Sequence, residues 1–206
     1  MGNFIDAIKR PFTEVGKLAI GTLLLIIPFV NMVSGVFAYG YILRCARTKQ
    51  GLPAWDNWEE LFVDGVILPV IILIYAIPFV GVLLFTGFEA LKSVLTGETA
   101  GLGKSLVILA GVALLTAYII PSALLSYSKN RRYWESFGPR VFINAIRADY
   151  LKAWMAAALY ASIAGIIASL AIFWSWSTFI LPMFLGSFAA VAIGISAITM
   201  VSEGFQ

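Results

Sequence analysis

The chain has 206 residues, of which 61% are hydrophobic and only 12% charged, against about a quarter charged in ordinary soluble domains. So few charges, gathered into short clusters, cannot cover the core of a water-facing fold, and a water-soluble enzyme is excluded. Histidine is absent, which removes the imidazole base and the imidazole metal ligand; the net charge of +3 and pI near 9.0 point to anionic lipid heads as partners and not to nucleic acid.

Taken in chain order, residues 1–17 read as an amphipathic N-terminal segment. No cleavage site follows the first apolar stretch, and Asp6 stands where the myristoylation pattern needs Ser or Thr, so neither a signal peptide nor that anchor is expected. Residues 18–43 carry no charge. They form either one kinked span or two short arms folded back at Pro28-Phe29-Val30-Asn31. Charge arbitrates between the two. A single span leaves five basic residues facing nine across the membrane. A fold-back gathers twelve on one side against Lys92 and Lys104 on the other, a much cleaner positive-inside pattern, and is favoured.

Residues 55–65 read as a short acidic helix on the membrane surface, with Asp56 as N-cap and Glu59 completing a capping box. Asp56, Glu60 and Asp64 recur every four residues and make an acidic stripe, while Trp58, Leu61 and Phe62 face the lipid boundary. Three such carboxylates could hold a hard cation, but solvation, salt bridging and the helix dipole explain them more simply.

Residues 66–128 supply a second hairpin. Between its arms, Gly97-Glu98-Thr99-Ala100-Gly101-Leu102-Gly103-Lys104-Ser105 looks like a phosphate-binding loop, but Glu98 stands where the first glycine is required and no buried strand precedes it. A turn leading into a helix is expected there, and no nucleotide. Within the second arm Tyr118, Ser122 and Ser126 form a polar stripe that Asn31 or Tyr75 could join. Such hydroxyls either line a passive pathway or bond to backbone within the bundle, and the second is the commoner use.

Residues 129–152 form a basic interfacial segment. After Gly138 and Pro139 a helix would carry Arg140, Asn144 and Arg147 on one side, with Phe142 and Ile146 on the other. With both surface segments at the same membrane face, the acidic stripe is expected to dock on Arg140 and Arg147 as a cytoplasmic collar.

Residues 153–202 are too long for one crossing and divide near Trp174-Ser175-Trp176-Ser177 into a third hairpin. Ala153, Ala157, Ala161, Gly165 and Ser169 recur every four residues on one helix, and Gly186, Ala190 and Gly194 on the next. Small residues let backbones approach closely in lipid, so these stripes should pack the last hairpin on itself, with a homo-oligomer interface as the alternative. A weak internal echo links Ile27-Pro28-Phe29-Val30-Asn31, Ile77-Pro78-Phe79-Val80-Gly81 and Ile180-Leu181-Pro182. Cys45, the single cysteine, reads as a tolerated residue at a helix end, with lipidation of a juxtamembrane thiol the weaker alternative.

The runs Ala7-Ile8-Lys9-Arg10-Pro11-Phe12, Ile20-Gly21, Ile27-Pro28 with Asn31, Gly40-Tyr41-Ile42-Leu43-Arg44, Leu52-Pro53 with Asp56, Trp58, Glu60-Leu61-Phe62 and Asp64-Gly65 together resemble the mostly archaeal integral-membrane family known as domain of unknown function 4013. The likeness is most specific over residues 12–65 and looser beyond. Trp55 departs from the pattern, where Phe or another apolar residue is expected. The resemblance implies several membrane helices and an archaeal or bacterial source. It brings no assigned activity, ligand or catalytic residue.

The expected architecture is therefore a single all-α domain spanning residues 1–206. It is a polytopic transmembrane bundle of three hairpins, five to six membrane segments with short amphipathic interfacial helices, in the cell membrane with both termini cytoplasmic. No ionisable residue lies deep in an apolar stretch, and no nucleophile, base and metal ligand converge. The functional expectation is a non-enzymatic scaffold, subunit or lipid-engaging protein without a cofactor. Its partners would be anionic lipids, a second copy or another membrane protein, and a passive channel or transporter is the alternative.

Overall fold

The computed structural model describes residues 4–26, 31–48, 51–96, 100–174 and 180–204. Among them the ordered elements are helical: α1 (Phe4–Lys9), a 3-10 turn (Arg10–Glu14), α2 (Val15–Ile26), α3 (Asn31–Arg47), α4 (Trp58–Thr96), α5 (Ala100–Asn130), a second 3-10 turn (Tyr133–Phe137), α6 (Pro139–Ile146), α7 (Ala148–Trp174) and α8 (Ile180–Gly204). Four stretches, Trp58–Ser93, Gly103–Asn130, Ala148–Phe173 and Leu181–Gly204, are long and apolar enough to cross a membrane. At about 1.5 Å per residue, α2 and α3 reach only roughly 18 and 26 Å, less than a hydrocarbon core of about 30 Å.

Neighbours along the chain pack side by side: α3 on α4, α4 on α5, and α7 on α8, with α8 also against α2 and α3. The central helices are α3 and α8. Tyr41 and Cys45 of α3 and Val191 and Ile195 of α8 are buried together with Leu18 and Leu61. A second cluster joins Leu43 and Ile71 to Tyr127 and Val141. The outer faces of the long helices stay apolar, with Leu84 and Phe85 at 70% exposure and Phe173 at 74%. In water such a surface would aggregate; in lipid it is matched.

Several sequence expectations are revised. Residues 55–65 are not a separate surface helix, because α4 runs without a break from Trp58 past Pro69 and Pro78. Asp56 lies before Asn57, whose positive φ of 50° turns the chain into the helix, and its carboxylate is taken by Arg44. The helix after Gly138 and Pro139 forms as expected, with Pro139 in the first turn, where its missing N–H costs nothing. Arg147 has an extended backbone that ends α6, so it does not continue the face of Arg140 and Asn144. The proline echo has no common structural meaning: Pro78 is deep inside α4 and Pro182 in the first turn of α8. Residues 27–30, 97–99 and 175–179, which contain the fold-back tip, part of the loop-like glycine run and most of the last turn, lie outside the described residues.

The small-residue stripes are divided. Ala153 and Ala157 are buried at one end of α7, and Gly186 meets Ile172 at ordinary contact distance, 3.6 Å from a notional β-carbon. Ala190 is exposed, and Gly194 faces Ile42 of α3 and not α7. Ala161, Gly165 and Ser169 line a shallow outer groove, and a β-carbon at Gly165 would meet nothing within 4 Å. A repeat of small side chains defines a face but not its neighbour. Gly165→Leu is therefore expected to leave unfolding of the purified chain in detergent within about 1 kcal/mol of wild type. A larger loss would show that this glycine is packed inside the bundle.

Candidate functional site

One end of the bundle holds a compact charged network. Arg44 and Arg47 lie in the last turn of α3, Glu60 in the first turn of α4 and Asp64 one turn further on. Cations at a helix C-terminus and anions at an N-terminus both oppose the helix dipoles, so the two antiparallel ends attract each other before any side-chain pairing. Arg44 donates from Nη1 to Asp56 Oδ1 at 2.6 Å and from Nη2 to Glu60 Oε2 at 3.3 Å. Arg47 bridges Glu60 Oε1 at 3.2 Å and Asp64 Oδ2 at 2.8 Å. Arg131 reaches Glu60 Oε1 at 3.0 Å and Asp64 Oδ1 at 3.5 Å. It can do so because its φ of 55° puts the residue in the left-handed region, while its N–H bonds back to Tyr127 O at 2.7 Å, capping α5.

Asp64 is the centre of the network. It is fully buried and accepts a further hydrogen bond from the Tyr127 hydroxyl at 2.6 Å. Three carboxylates and three guanidiniums thus balance formally, and the acidic stripe is met by arginines. The expected collar is corrected on one side: Asp56, Glu60 and Asp64 do converge, but on Arg44, Arg47 and Arg131. Arg140 and Arg147 make no ion pair among the described residues.

The segment joining α3 to α4 is strapped to the N-terminal region beside this network. Arg10, buried, donates to Gly51 O at 2.9 Å, Thr48 O at 2.6 Å and Thr199 Oγ1 at 2.9 Å, tying the 3-10 turn before α2 to the ends of α3 and α8. Lys17 donates to Leu52 O at 2.7 Å, and the Leu52 N–H to Glu14 Oε1 at 3.0 Å. The hydrogen bond from Lys17, then that from Leu52, holds the Glu14 carboxyl below its usual range. Trp55 stacks on Tyr41 with ring centroids 3.9 Å apart and donates from Nε1 to Lys17 O at 2.9 Å. Trp55 is thus a fastening point of the strap, using both its face and its N–H.

Two glycines let α3 and α4 meet backbone to backbone. A β-carbon at Gly40 would overlap the carbonyl of Leu61, and one at Gly65 the carbonyl of Val36. The sequence reading missed both as packing residues, because neither belongs to a four-residue repeat. Their signal was their place inside the two motif blocks Gly40-Tyr41-Ile42-Leu43-Arg44 and Asp64-Gly65.

The polar stripe is consumed within the chain. Tyr118 donates to Ala145 O, Ser122 to Val141 O at 2.8 Å, and Ser126 to Ser122 O at 2.9 Å. Tyr75, from α4, donates to Ser136 O at 2.5 Å. Tyr118, Ser122 and Tyr75 therefore hold α6 and the turn before it against the long helices. The side chain of Asn31 lies outside the described residues. Cys45 is buried at 0% exposure, inside the bundle and not at a lipid-facing margin.

A helical bundle with an apolar exterior, four helices among the described residues fit to cross a membrane and a charged network at one end belongs to the class of polytopic membrane proteins. Within that class, residues 20–173 match the family described as "Protein of unknown function (DUF4013)". The match covers well over half of the chain, and the protein belongs to this family. No curated protein and no solved structure matches it.

Proposed function

We propose that the protein is a non-enzymatic membrane scaffold or subunit that engages lipid at its charged end. In this reading it is inserted in the cell membrane as three hairpins with both termini cytoplasmic, and α2 and α3 form the short first hairpin. The twelve-to-two distribution of basic residues supports that orientation. The bonds from Arg10 to Thr48 and Thr199 support it as well, since they join the turn before α2, the end of α3 and the end of α8.

The observation that carries the functional reading is the commitment of Tyr118 and Ser122 to the carbonyls of Ala145 and Val141. A conducting path presents its donors and acceptors to water or to the permeant species; here they fasten one helix to another. In liposomes containing the purified chain, solute and ion flux should not exceed that of protein-free vesicles. Flux abolished by Tyr118→Phe together with Ser122→Ala, in a variant that still folds, would overturn the scaffold reading in favour of a passive channel.

A further inference from the structure

The chain between α5 and α7 carries a second set of charges, separate from the ion-paired rim. Arg44, Arg47 and Arg131 are spent on Asp56, Glu60 and Asp64. Arg132, Arg140, Arg147 and Lys152 are exposed and make no ion pair among the described residues. Residues 132–152 also hold two carboxylates: Glu135, which accepts a hydrogen bond from Asn130, and Asp149, in the first turn of α7. Four cations against two carboxylates leave the stretch net positive.

Its apolar groups are divided between two faces. With about 3.6 residues per turn, Phe142, Ile143 and Ile146 share one face of α6 and Val141 and Ala145 another, with Arg140 on the flank of the first. The fold keeps that division, since Ile146 is 84% exposed and Val141 fully buried. Ser122, donating to Val141 O, and Tyr118, donating to Ala145 O, fasten the buried face, so the ridge of Phe142, Ile143 and Ile146 is held outward. Tyr133 and Trp134 stand exposed just before α6, and the Arg132 guanidinium lies 5.9 Å from the Trp134 ring centroid.

The place of this stretch in the fold indicates what covers it. It joins the ends of two helices fit to cross a membrane, Gly103–Asn130 and Ala148–Phe173. A linker between two spans emerges at the membrane boundary, where aromatic rings sit at headgroup level and arginines meet anionic heads. Apolar ridge, aromatic pair and cations thus match the acyl, interfacial and phosphate layers of a lipid leaflet.

We infer that α6 and the aromatic turn before it form a docking surface for an anionic lipid leaflet, with Arg140 and Arg147 as cations that meet its phosphates. The inference gives a place to the lipid engagement proposed above and rests on it. The test puts a fluorophore on Ile146→Cys in a Cys45→Ala chain, reconstituted in vesicles of equal phosphatidylglycerol and phosphatidylcholine, one or the other bearing a nitroxide quencher on its acyl chain. The same fluorophore on Leu115→Cys is the reference, because Leu115 is exposed on α5 with no basic residue within two turns of it along the helix. An anionic surface favours each nearby arginine by about fivefold. The Ile146→Cys probe should therefore be quenched by both lipids, with phosphatidylglycerol enriched at least about fivefold over the Leu115→Cys ratio. Arg140→Gln with Arg147→Gln should bring the two ratios together, whereas Lys92→Gln should leave them apart. Circular dichroism confirms that each variant folds, and if the double variant does not, Arg140→Gln alone carries the comparison.

Quenching at Leu115→Cys with none at Ile146→Cys would overturn the inference and leave the membrane reading standing. Access of aqueous iodide to the probe would then put α6 in water, and exclusion of iodide would put a second copy or another polypeptide over it. Equal quenching by both lipids at Ile146→Cys, or a preference that survives in the folded double variant, would overturn it as well. No lipid quenching at either position would sink the membrane reading itself, so the two failures are distinguishable.

Discussion

Asp64→Asn should destabilise the protein by about 3–5 kcal/mol, the usual cost of removing one partner from a buried charge pair. Asp64 is fully buried and accepts from Arg47, Arg131 and Tyr127. An amide at this position can still accept on one oxygen, but it removes the negative charge and presents an NH₂ where donors already converge. The side chain of Arg131 is 42% exposed and can be rehydrated, whereas that of Arg47 is 20% exposed, so most of the penalty falls on Arg47. Asp56→Asn is the internal control. That carboxylate is 64% exposed, and its loss should cost no more than about 1 kcal/mol. Equilibrium unfolding in detergent compares the two directly, and equal midpoints would contradict the central role assigned to Asp64.

Gly65→Ala should be comparably damaging for a different reason. The added methyl would overlap the Val36 carbonyl, and backbone cannot turn aside as a side chain can. The α3 and α4 helices must move apart, losing contact along their length and stretching the ion pairs that cross between them. The expected cost exceeds the roughly 1–3 kcal/mol of ordinary overpacking, and Gly40→Ala should behave alike because it opposes Leu61 in the same interface. Size-exclusion profiles and unfolding midpoints test this. A Gly65→Ala protein as stable as Gly165→Leu would mean that the close approach is not maintained.

The contrast between these glycines explains what could be read from sequence. Apolar runs were legible because length and missing charge are properties of the chain itself, and they correctly placed the four long helices. The shared face of Glu60 and Asp64 was also legible, since a four-residue spacing on one helix fixes it, whereas Asp56 lies before α4 and joins them through Arg44. Their partners were not. Arg140 and Arg147 matched the stripe in sign and spacing just as Arg44 and Arg47 did, and the choice depends on α3 and α4 packing against each other. Arg131 was hidden further still, because it reaches Asp64 through a left-handed residue beyond the end of α5. Tyr118 and Ser122 left two uses open, and the Ala145 and Val141 carbonyls that accept from them lie 27 and 19 residues away in sequence.

The account depends most on the rim being locked by Arg47 with Asp64. A double-mutant cycle of Arg47→Ala and Asp64→Ala, run beside a cycle of Arg147→Ala and Asp64→Ala, measures that pairing. Coupling of about 2 kcal/mol or more for Arg47, with none resolved for Arg147, is the predicted result. Additive losses for Arg47, or coupling that appears at Arg147 instead, would contradict the network and return the acidic stripe to the basic segment after α5.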